Sequence, residues 1–451
     1  MTNLPIKYTE RMKQLLGSEY TLYEESVNLS PVKAFRVNTD KISLEDFEKI
    51  NALPNEKIPY VPNGYYLMQD KIGAHPFHHA GVIYVQEPAA MAPAECVEIE
   101  KDWKILDMCA APGGKSSQLK NKLGENGVLV SNEIVPSRCR VLTGNIERLG
   151  LTNTVTTCTD TERLSRLFPK TFDLVMVDAP CSGEGMFRKD ENARNEWSEE
   201  NVLKCAERQK EILENAALCV KNGGYIIYAT CTFSLEENEM VIDSFLKAHN
   251  NFVLSKVTDR VEKATSPGID FDGCECKNIS FARRFYPHKG RGEGQFMAVL
   301  KNTESPQPDF PRENGLKKCT DRTVLDFLSD NLDSYKAENV LMNKNTPVYF
   351  TPDFAVPGGV AFSCGVTIGE IKKNYILPHH QLFMAMGNRF KRKINLSLED
   401  ENLMKYLKGD TFAVSSEKGF AAVLLEGCTL GGAKIVDGKI KNHYPKGLRI
   451  V

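Results

Sequence analysis

Between Trp103 and Leu300, short apolar runs alternate with longer segments of helical periodicity, and this alternation restricts the possible folds most strongly. Apolar runs of strand length occur at 103–108, 127–132, 172–177 and 225–229. The segment from Glu199 to Val220 places its apolar residues on one stripe, as an amphipathic helix does. Those residues are Val202, Leu203, Ala206, Ile212, Leu213, Ala216 and Ala217. The alternation predicts an α/β fold, a doubly wound sheet with a mainly parallel core.

The segments that flank this core differ from it in composition. Before it, helical patterns at Ile6–Leu16 and Leu44–Lys49 are followed by aromatic sequence interrupted by Pro and Gly, which predicts a small α+β domain. After it, three prolines among polar residues at 303–311 predict a linker. A segment of unclear type follows, and the glycine-rich β-runs near the C-terminus predict a small β-barrel-like appendage. The predicted domains are residues 1–90, 91–302, 303–380 and 381–451.

The composition excludes several classes of protein. The 451 residues are 41% hydrophobic and 26% charged, with a net charge of −2, as in soluble globular proteins. No apolar run approaches the ~18 residues of a membrane span, and no apolar signal region opens the chain, so we expect a cytoplasmic protein. The 13 cysteines are odd in number and scattered, which argues against a disulfide framework. Cys274 and Cys276 lack a second pair at zinc-finger spacing, and we predict no metal.

A glycine-rich turn, DMCAAPGGKS at 107–116, follows the first predicted strand and opens a helix. Such a turn brings backbone close to a ligand. A phosphate-binding P-loop would need a glycine where Cys109 stands, and the three glycines of a dinucleotide fingerprint are missing. Glu133, after the second strand, can accept both ribose hydroxyl protons, and Asp160, after the third, can accept an adenine amino group. The turn and the two carboxylates together favour an adenosyl cofactor.

Two cysteines follow the next two predicted strands, in DAPCSG at 178–183 and TCT at 230–232. Ligands of open α/β sheets bind at the carboxyl ends of strands, so we expect Asp178, Cys181 and Cys231 beside the cofactor. A thiolate that adds to carbon 6 of cytosine makes carbon 5 nucleophilic, and a carboxylic acid at ring nitrogen 3 stabilises the developing charge. A base must then remove the carbon 5 proton so that the thiol can leave. Spacing alone does not decide which cysteine takes which role.

These motifs resemble the Nop/Sun family of RNA cytosine-5 methyltransferases, most closely its bacterial RsmF-like branch, which methylates 16S ribosomal RNA. Further similar segments are HPFHHAG at 75–81, QEP at 86–88, RRFYPH at 283–288, GEG at 292–294 and KNHYPKGLR at 441–449. The resemblance implies a Rossmann-like S-adenosylmethionine-dependent methyltransferase core. It also implies that a small α+β N-terminal domain and a β-rich PUA-like C-terminal domain, both expected to bind RNA, flank this core.

The resemblance also implies roles for individual residues. Cys231 would be the nucleophile, Cys181 would assist product release, and Asp178 would lie between cofactor and target base. DNA cytosine methyltransferases use the cysteine of a Pro-Cys motif instead, which would point to Cys181. The S-adenosylmethionine contacts implied by the resemblance are Cys109, Ala110, Ala111, Pro112, Gly113, Gly114, Lys115, Glu133, Asp160 and Asp178.

Three basic stretches, at 283–291, 389–393 and 439–449, predict contacts with RNA, because cations bind phosphates and aromatic rings stack on unpaired bases. Histidines at 75, 78, 79 and 288 are further candidates for RNA contact. The expected partner is 16S ribosomal RNA in the small subunit or in an assembly intermediate, with no DNA or membrane partner. The protein is expected to act as a monomer, with the target base turned out of its stack.

Two other functions are compatible with the fold. Amino-group methyltransferases need an Asn/Asp-Pro-Pro-aromatic turn, and here Cys181 follows Pro180, which argues against that reaction. A non-catalytic RNA-binding or ribosome-assembly factor would tolerate Cys231→Ala with RNA binding intact. The presence of both cysteines and Asp178 favours the enzyme.

Overall fold

The N-terminal part of the chain forms a four-stranded antiparallel sheet with short helices. The computed structural model describes residues 4–50, 53, 55–68, 72–308 and 312–450. The N-terminal elements are α1 (Ile6–Leu16), α2 (Tyr20–Val27), β1 (Ala34–Val37), α3 (Leu44–Ile50), β2 (Asn55–Lys57), β3 (Gly64–Leu67), α4 (Pro76–His79) and β4 (Ile83–Val85). The strands pair in the order β2–β3–β1–β4, and the two predicted helices are confirmed as α1 and α3.

The central part of the chain alternates strands with helices, as predicted. Its elements are β5 (Lys104–Asp107), α5 (Gly114–Lys120), β6 (Val128–Asn132), α6 (Pro136–Leu149), β7 (Thr154–Thr157), α7 (Thr161–Leu167), β8 (Phe172–Asp178), α8 (Glu191–Glu196), α9 (Glu199–Cys219), β9 (Val220–Thr230), α10 (Glu239–Ala248), β10 (Phe252–Ser255), α11 (Asp259–Ala264), β11 (Ser266–Pro267), β12 (Arg283–Phe285) and β13 (Gln295–Asn302). The four apolar runs predicted as strands are confirmed as β5, β6, β8 and β9.

Five central strands of this sheet run parallel, in the order β7–β6–β5–β8–β9. Antiparallel strands β13, β12 and β11 extend it beyond β9, and β10 also pairs with β13. Both faces of the sheet are covered, so its strands are nearly continuous runs of buried aliphatic residues. The predicted doubly wound sheet with a parallel core is confirmed.

Helix α9 buries the predicted stripe with one exception. Ala206, Leu213 and Ala216 are buried against the sheet, and Val202 is buried in a separate cluster with Tyr8. Leu203 is 56% exposed, so its assignment to the buried face was wrong. One residue advances a helix by about 100°, which turns Leu203 towards the solvent side of the helix.

After the core, the chain forms another small sheet and also adds one strand to the edge of the central sheet. Its elements are β14 (Lys317–Lys318), α12 (Arg322–Asn331), β15 (Val340–Asn343), β16 (Thr346–Tyr349), β17 (Ala361–Cys364), β18 (Val366–Thr367), β19 (Gly369–Ile371), β20 (Ile376–Pro378) and α13 (His380–Met386). Strand β17 pairs antiparallel with β7 and forms the outer edge of the central sheet. The last three residues of the predicted linker, 309–311, lie outside the described residues.

The C-terminal part is rich in β-structure, as predicted. It contains β21 (Lys393–Leu396), α14 (Glu401–Lys408), β22 (Gly419–Leu425), β23 (Cys428–Val436) and β24 (Lys439–Asn442). The outer strands β21 and β24 do not pair with each other, so the described residues form an open sheet rather than the expected barrel-like one. This sheet is also more than an appendage, because residues such as Tyr406 and Val423 share one apolar cluster with Phe35 and Phe47 of the N-terminal domain. No helix in the described part of the chain has the length and apolar character needed to cross a membrane.

Candidate active site

The carboxyl ends of the parallel strands meet at one edge of the sheet. The chain reverses its direction of winding between β5 and β8, and ligands of open α/β sheets bind at such a switch point. Strand β5 ends at Asp107 and β8 at Asp178, on adjacent strands. The predicted site residues all follow strand ends at this edge.

The glycine turn between β5 and α5 follows a fixed path. Gly113 has a φ of 110°, a left-handed conformation that favours glycine, and a Cβ atom there would lie 3.1 Å from Leu142 Cδ1. A Cβ atom on Gly114 would lie 3.1 Å from the Gln86 Cδ atom. A side chain at either position would therefore push against packed neighbours and narrow the cradle at the start of α5.

The two predicted cofactor carboxylates differ in their surroundings. Glu133 is buried directly after β6, and its Oε1 atom accepts a hydrogen bond from the Val135 backbone N–H at 2.9 Å. Its Oε2 atom lies 3.3 Å from Arg138 Nη1. Asp160 is exposed and caps α7 by accepting a hydrogen bond from the Arg163 backbone N–H at 2.7 Å. The cap is a structural role that the sequence analysis did not assign to Asp160.

Asn132 connects three strand ends and was missed by the sequence analysis. Its amide nitrogen donates to the Met108 carbonyl at 3.2 Å and to the Thr159 carbonyl at 2.9 Å. Its amide oxygen accepts from the Thr157 hydroxyl at 2.8 Å. A polar residue inside the buried strand β6, immediately before Glu133, was the available signal.

Asp178 forms an ion pair with Lys115 of the glycine turn. The Lys115 Nζ atom donates to Asp178 Oδ2 at 2.7 Å, and the lysine side chain is only 10% exposed. Burial alone would lower the pKa of Lys115, but the charge and hydrogen bond of Asp178 raise it above its ordinary value. Lys115 therefore stays positively charged and holds the Asp178 carboxylate at the end of β8.

Asp107 lies beneath the turn and is fully buried. Burial raises the pKa of its carboxyl group to about 7, although the Ser116 hydroxyl donates to Oδ2 at 2.6 Å and opposes the rise. The nearby charge of Asp178 raises this pKa further. Asp107 therefore takes up a proton at a much higher pH than an ordinary carboxyl group does.

The two predicted cysteines lie side by side. Cys181 Sγ is 3.2 Å from Cys231 Sγ, and both residues are half-buried. Their loops follow the adjacent strands β8 and β9, and the Gly185 backbone N–H donates to the Cys231 carbonyl at 2.8 Å. The hydrogen bond with Cys231, followed by burial, raises the pKa of the Cys181 thiol well above its ordinary value. Cys181 therefore keeps its proton as long as neither thiol is bonded to a substrate.

The N-terminal domain also contributes to the turn, through residues that the sequence analysis missed. Arg36 on β1 is buried and donates to Gln86 Oε1 at 2.8 Å. It donates as well to the Gly114 carbonyl and the Ser117 hydroxyl, each at 2.7 Å. The start of α5 is therefore fixed from outside the Rossmann-like core.

Family models match three parts of this chain. They describe a 16S rRNA methyltransferase RsmB/F (residues 94–301), the N-terminal domain of 16S rRNA methyltransferase RsmF (4–88) and the methyltransferase RsmF PUA domain (393–450). Ribosomal RNA small subunit methyltransferase F of Vibrio vulnificus is 31% identical over 473 residues, 99% of this chain and 97% of the relative. The chain belongs to the RsmB/F family of 16S rRNA methyltransferases.

Two further comparisons agree with this membership. The protein of the same name from Shewanella oneidensis is 30% identical over 92% of this chain and 90% of the relative. The crystal structure of a methyltransferase homolog protein from Pyrococcus horikoshii has a TM-score of 0.57 and 29% identity, and the match covers 65% of this chain and 93% of that chain.

Membership confirms the predicted fold class, enzyme class and cofactor. The protein is an S-adenosylmethionine-dependent methyltransferase with a Rossmann-like core, a small N-terminal domain and a β-rich C-terminal PUA domain. The residues at the switch point fit this cofactor. The glycine turn has no room for side chains at Gly113 and Gly114, so its backbone stays bare at the start of α5, and the Glu133 carboxylate suits ribose hydroxyls.

The first basic stretch, 283–291, is mostly internal and does not form the expected RNA surface. Arg284 is 1% exposed and paired with Glu239, while Arg283 is buried and donates to the Thr265 hydroxyl at 3.0 Å. Only Lys289 and Arg291 keep substantially exposed cationic side chains. The alternation of cations with aromatics therefore reflects buried packing. By contrast, the other two stretches expose most of their lysines.

Three of the four candidate histidines have polar partners within the protein, and His288 Nε2 lies 3.5 Å from Glu19 Oε2. His75 caps α4, and His79 Nδ1 lies 3.1 Å from the Tyr444 hydroxyl of the C-terminal domain. Burial lowers the pKa of His78 to about 4, so that side chain is neutral at pH 7. In the described parts of the chain, no three His, Cys, Asp or Glu side chains are grouped so that they could hold a metal ion.

Proposed function

We propose that this protein methylates carbon 5 of a cytosine in 16S ribosomal RNA, with Cys231 as nucleophile and Cys181 as proton acceptor at product release. The observation that carries the proposal is the 3.2 Å separation of the two thiols, next to the strand end that holds Asp178. One thiol suffices for nucleophilic attack, and a second within contact distance supplies the base that the release step requires.

The first step needs an ionised thiol and a polarised ring. The Cys231 thiolate forms a bond to carbon 6, and the electron pair that it displaces makes carbon 5 nucleophilic. The Lys115–Asp178 pair offers a proton donor and an acceptor for ring nitrogen 3 and the adjacent amino group. When bound, S-adenosylmethionine supplies the electrophilic methyl group. The turn Cys109–Lys115 and Glu133 would hold it, with Asp160 at the adenine end.

The second step returns the enzyme to its starting state. Cys181 takes the proton from carbon 5, the electron pair of that bond restores the ring double bond, and Cys231 leaves as a thiolate. The hydrogen bond with Cys231 is the main cause of the raised pKa of Cys181. This contribution disappears when Cys231 is bound to carbon 6, because a thioether carries no charge. Covalent attack therefore removes the largest cause that raises the pKa of Cys181, while burial and the charge of Glu237 still raise it. Cys181 can then release its own proton to solvent more readily, before it takes the proton of carbon 5.

The RNA must present an unpaired cytosine, because attack comes from above the plane of the ring. Exposed lysines of the C-terminal PUA domain, including Lys439 and Lys441, and Lys391 just before it are suited to bind the phosphate backbone. One chain supplies every residue of the proposed site, so a monomer suffices. A ribosomal RNA substrate also places the protein in the cytoplasm.

Tritiated methyl transfer to 16S RNA, free and in small-subunit particles, tests this proposal. We expect wild type to form 5-methylcytosine and Cys231→Ala to form neither product nor adduct. Cys181→Ala should leave protein covalently bound to RNA, seen as a band shift on a denaturing gel. An adduct with Cys231→Ala but none with Cys181→Ala would exchange the two roles. No methyl transfer by wild type to any RNA would favour a binding factor.

A further inference from the structure

Two neighbouring residues, Glu237 and Asn238, lie between the loops that carry the thiols. Both are fully buried at the start of α10, and neither forms a salt bridge with any described residue. The reaction steps described above do not use them. A buried carboxylate without a cation is costly, and such groups are retained where their hydrogen bonds matter.

Glu237 fixes the residues on both sides of Cys181. Its Oε1 atom accepts from the Ser182 backbone N–H at 2.9 Å, and its Oε2 atom accepts from the Ser182 hydroxyl at 2.5 Å. Gln209 donates to Glu237 Oε1 at 2.9 Å and also to the Pro180 carbonyl at 3.0 Å. Cys181 is therefore held between two residues that both depend on the Glu237–Gln209 pair.

Asn238 fixes the residues on both sides of Cys231. Its Oδ1 atom accepts from the Thr230 hydroxyl at 2.6 Å, and its Nδ2 atom donates to the Thr232 carbonyl at 3.0 Å. The two sets of bonds are connected, because the Thr232 hydroxyl donates to Glu237 Oε2 at 3.2 Å. Of the six polar atoms described on the residues that flank the thiols, five bond directly to Glu237 or Asn238, and the sixth, the Pro180 carbonyl oxygen, bonds to Gln209.

We propose that Glu237 is the positioning residue for Cys181 and Asn238 the positioning residue for Cys231, so that Glu237 acts mainly on release and Asn238 mainly on attack. This inference rests on the proposed function. Proton transfer and nucleophilic attack both require the sulfur within about 3 Å of the reacting atom, and a displacement of about 1 Å costs about 100-fold in rate. Loss of Glu237 frees the Cys181 loop first, whereas loss of Asn238 frees the Cys231 loop.

Glu237 acts through its acceptor atoms and not by transferring a proton. Burial raises its pKa to about 7, so the protonated and ionised forms coexist near neutrality. In either form, one oxygen can accept the two N–H donors from Ser182 and Gln209. Glutamine supplies the same oxygen, and its amide nitrogen can donate to the hydroxyls of Ser182 and Thr232, which can rotate to accept. The conservative variant Glu237→Gln should therefore retain most of the activity.

The test uses the whole 451-residue chain, tritiated S-adenosylmethionine and 16S RNA, with methyl transfer and covalent adduct measured separately. We expect Glu237→Ala to lower kcat about 100-fold with KM unchanged and with adduct accumulating. Asn238→Ala should slow adduct formation by a similar factor without accumulation. Glu236→Ala is the matched control, because Glu236 contacts Arg11 at 2.6 Å and neither thiol loop, and it should resemble wild type.

Three outcomes would overturn the inference: both alanine variants affecting the same step, neither variant affecting turnover, or Glu237→Gln being as slow as Glu237→Ala. If Glu237→Ala does not fold, as judged by circular dichroism, Gln209→Ala tests the same hold on Pro180 and should also accumulate adduct. Cys231→Ala in the same assay separates the two hypotheses. An adduct formed by that variant contradicts the proposed function, whereas a wild-type pattern for the Glu237 and Asn238 variants contradicts only the inference.

Discussion

The buried carboxyl group of Asp107 should make the stability of this protein depend on pH, and Asp107→Asn should remove that dependence. Burial raises the pKa of Asp107 from 3.8 to about 7 in the folded state. In the unfolded chain the group ionises near its ordinary value, so between these two pKa values the folded state binds one more proton. The contribution is therefore complete below pH 3.8, falls as the pH rises towards the folded pKa and is constant above it.

The size of the effect follows from the width of that window. Each pH unit within it lowers the free energy of unfolding by about 1.4 kcal/mol. A rise from about pH 5 to about pH 7 should therefore cost wild type about 2.5 kcal/mol through this group alone. Asparagine keeps an acceptor for the Ser116 hydroxyl but cannot ionise. The free energy of unfolding of the variant should therefore not fall by this amount over the same pH range.

Urea unfolding of both proteins at several pH values between about 5 and 8 measures the difference. Burial also raises the pKa values of Glu147 and Glu237 to about 7. Both groups are present in wild type and in the variant, so their contributions cancel in the difference between the two curves. Asp102→Asn, which changes an exposed carboxylate, is the control and should give a curve parallel to that of wild type. Parallel curves for wild type and Asp107→Asn would refute the reasoning.

Three further predictions concern the ion pair, the helix cap and the exposed cations. Arg284→Met should destabilise the protein by about 3–5 kcal/mol in urea unfolding, because it leaves Glu239 buried and unpaired, and adding Glu239→Leu should recover most of the loss. Asp160→Ala should lower the free energy of unfolding by about 1 kcal/mol, because the cap of α7 is lost. If Asp160 also contacts adenine as proposed, calorimetry should show a raised Kd for S-adenosylmethionine. Lys439→Glu with Lys441→Glu should weaken RNA binding in filter assays at low salt, and the difference should shrink as salt is added.

The sequence predicted the central sheet well because buried parallel strands leave a local signal. Each of the four apolar runs became a strand, and the stripe on α9 identified its buried face except at Leu203. Strand β17 could not be predicted in this way. Its pairing with β7 joins residues about two hundred positions apart, and no local pattern records such a partner. The shared core of the N-terminal and C-terminal domains was missed for the same reason.

The candidate site shows a similar division. Strand-end reasoning correctly expected Cys181 and Cys231 at one edge of the sheet, because parallel strands end together. The cap formed by Asp160 was visible as an Asp just before an amphipathic segment with Glu162 in its first turn. The bonds of Glu237 and Asn238 were not predictable, since they depend on how the loops after two strands fold back on α10. Only the polarity of the segment 236–239 pointed to a buried network there.

Arg36 shows why the N-terminal domain belongs to the candidate active site. It is buried, forms no salt bridge with any described residue, and meets its acceptors on Gln86 and at the start of α5. Burial lowers the pKa of Arg36 to about 10, which still leaves the guanidinium charged at neutral pH. If β1 moved away from α5, this charge would lose its acceptors while remaining buried, at a cost of several kcal/mol. The N-terminal domain and the cofactor turn must therefore move together.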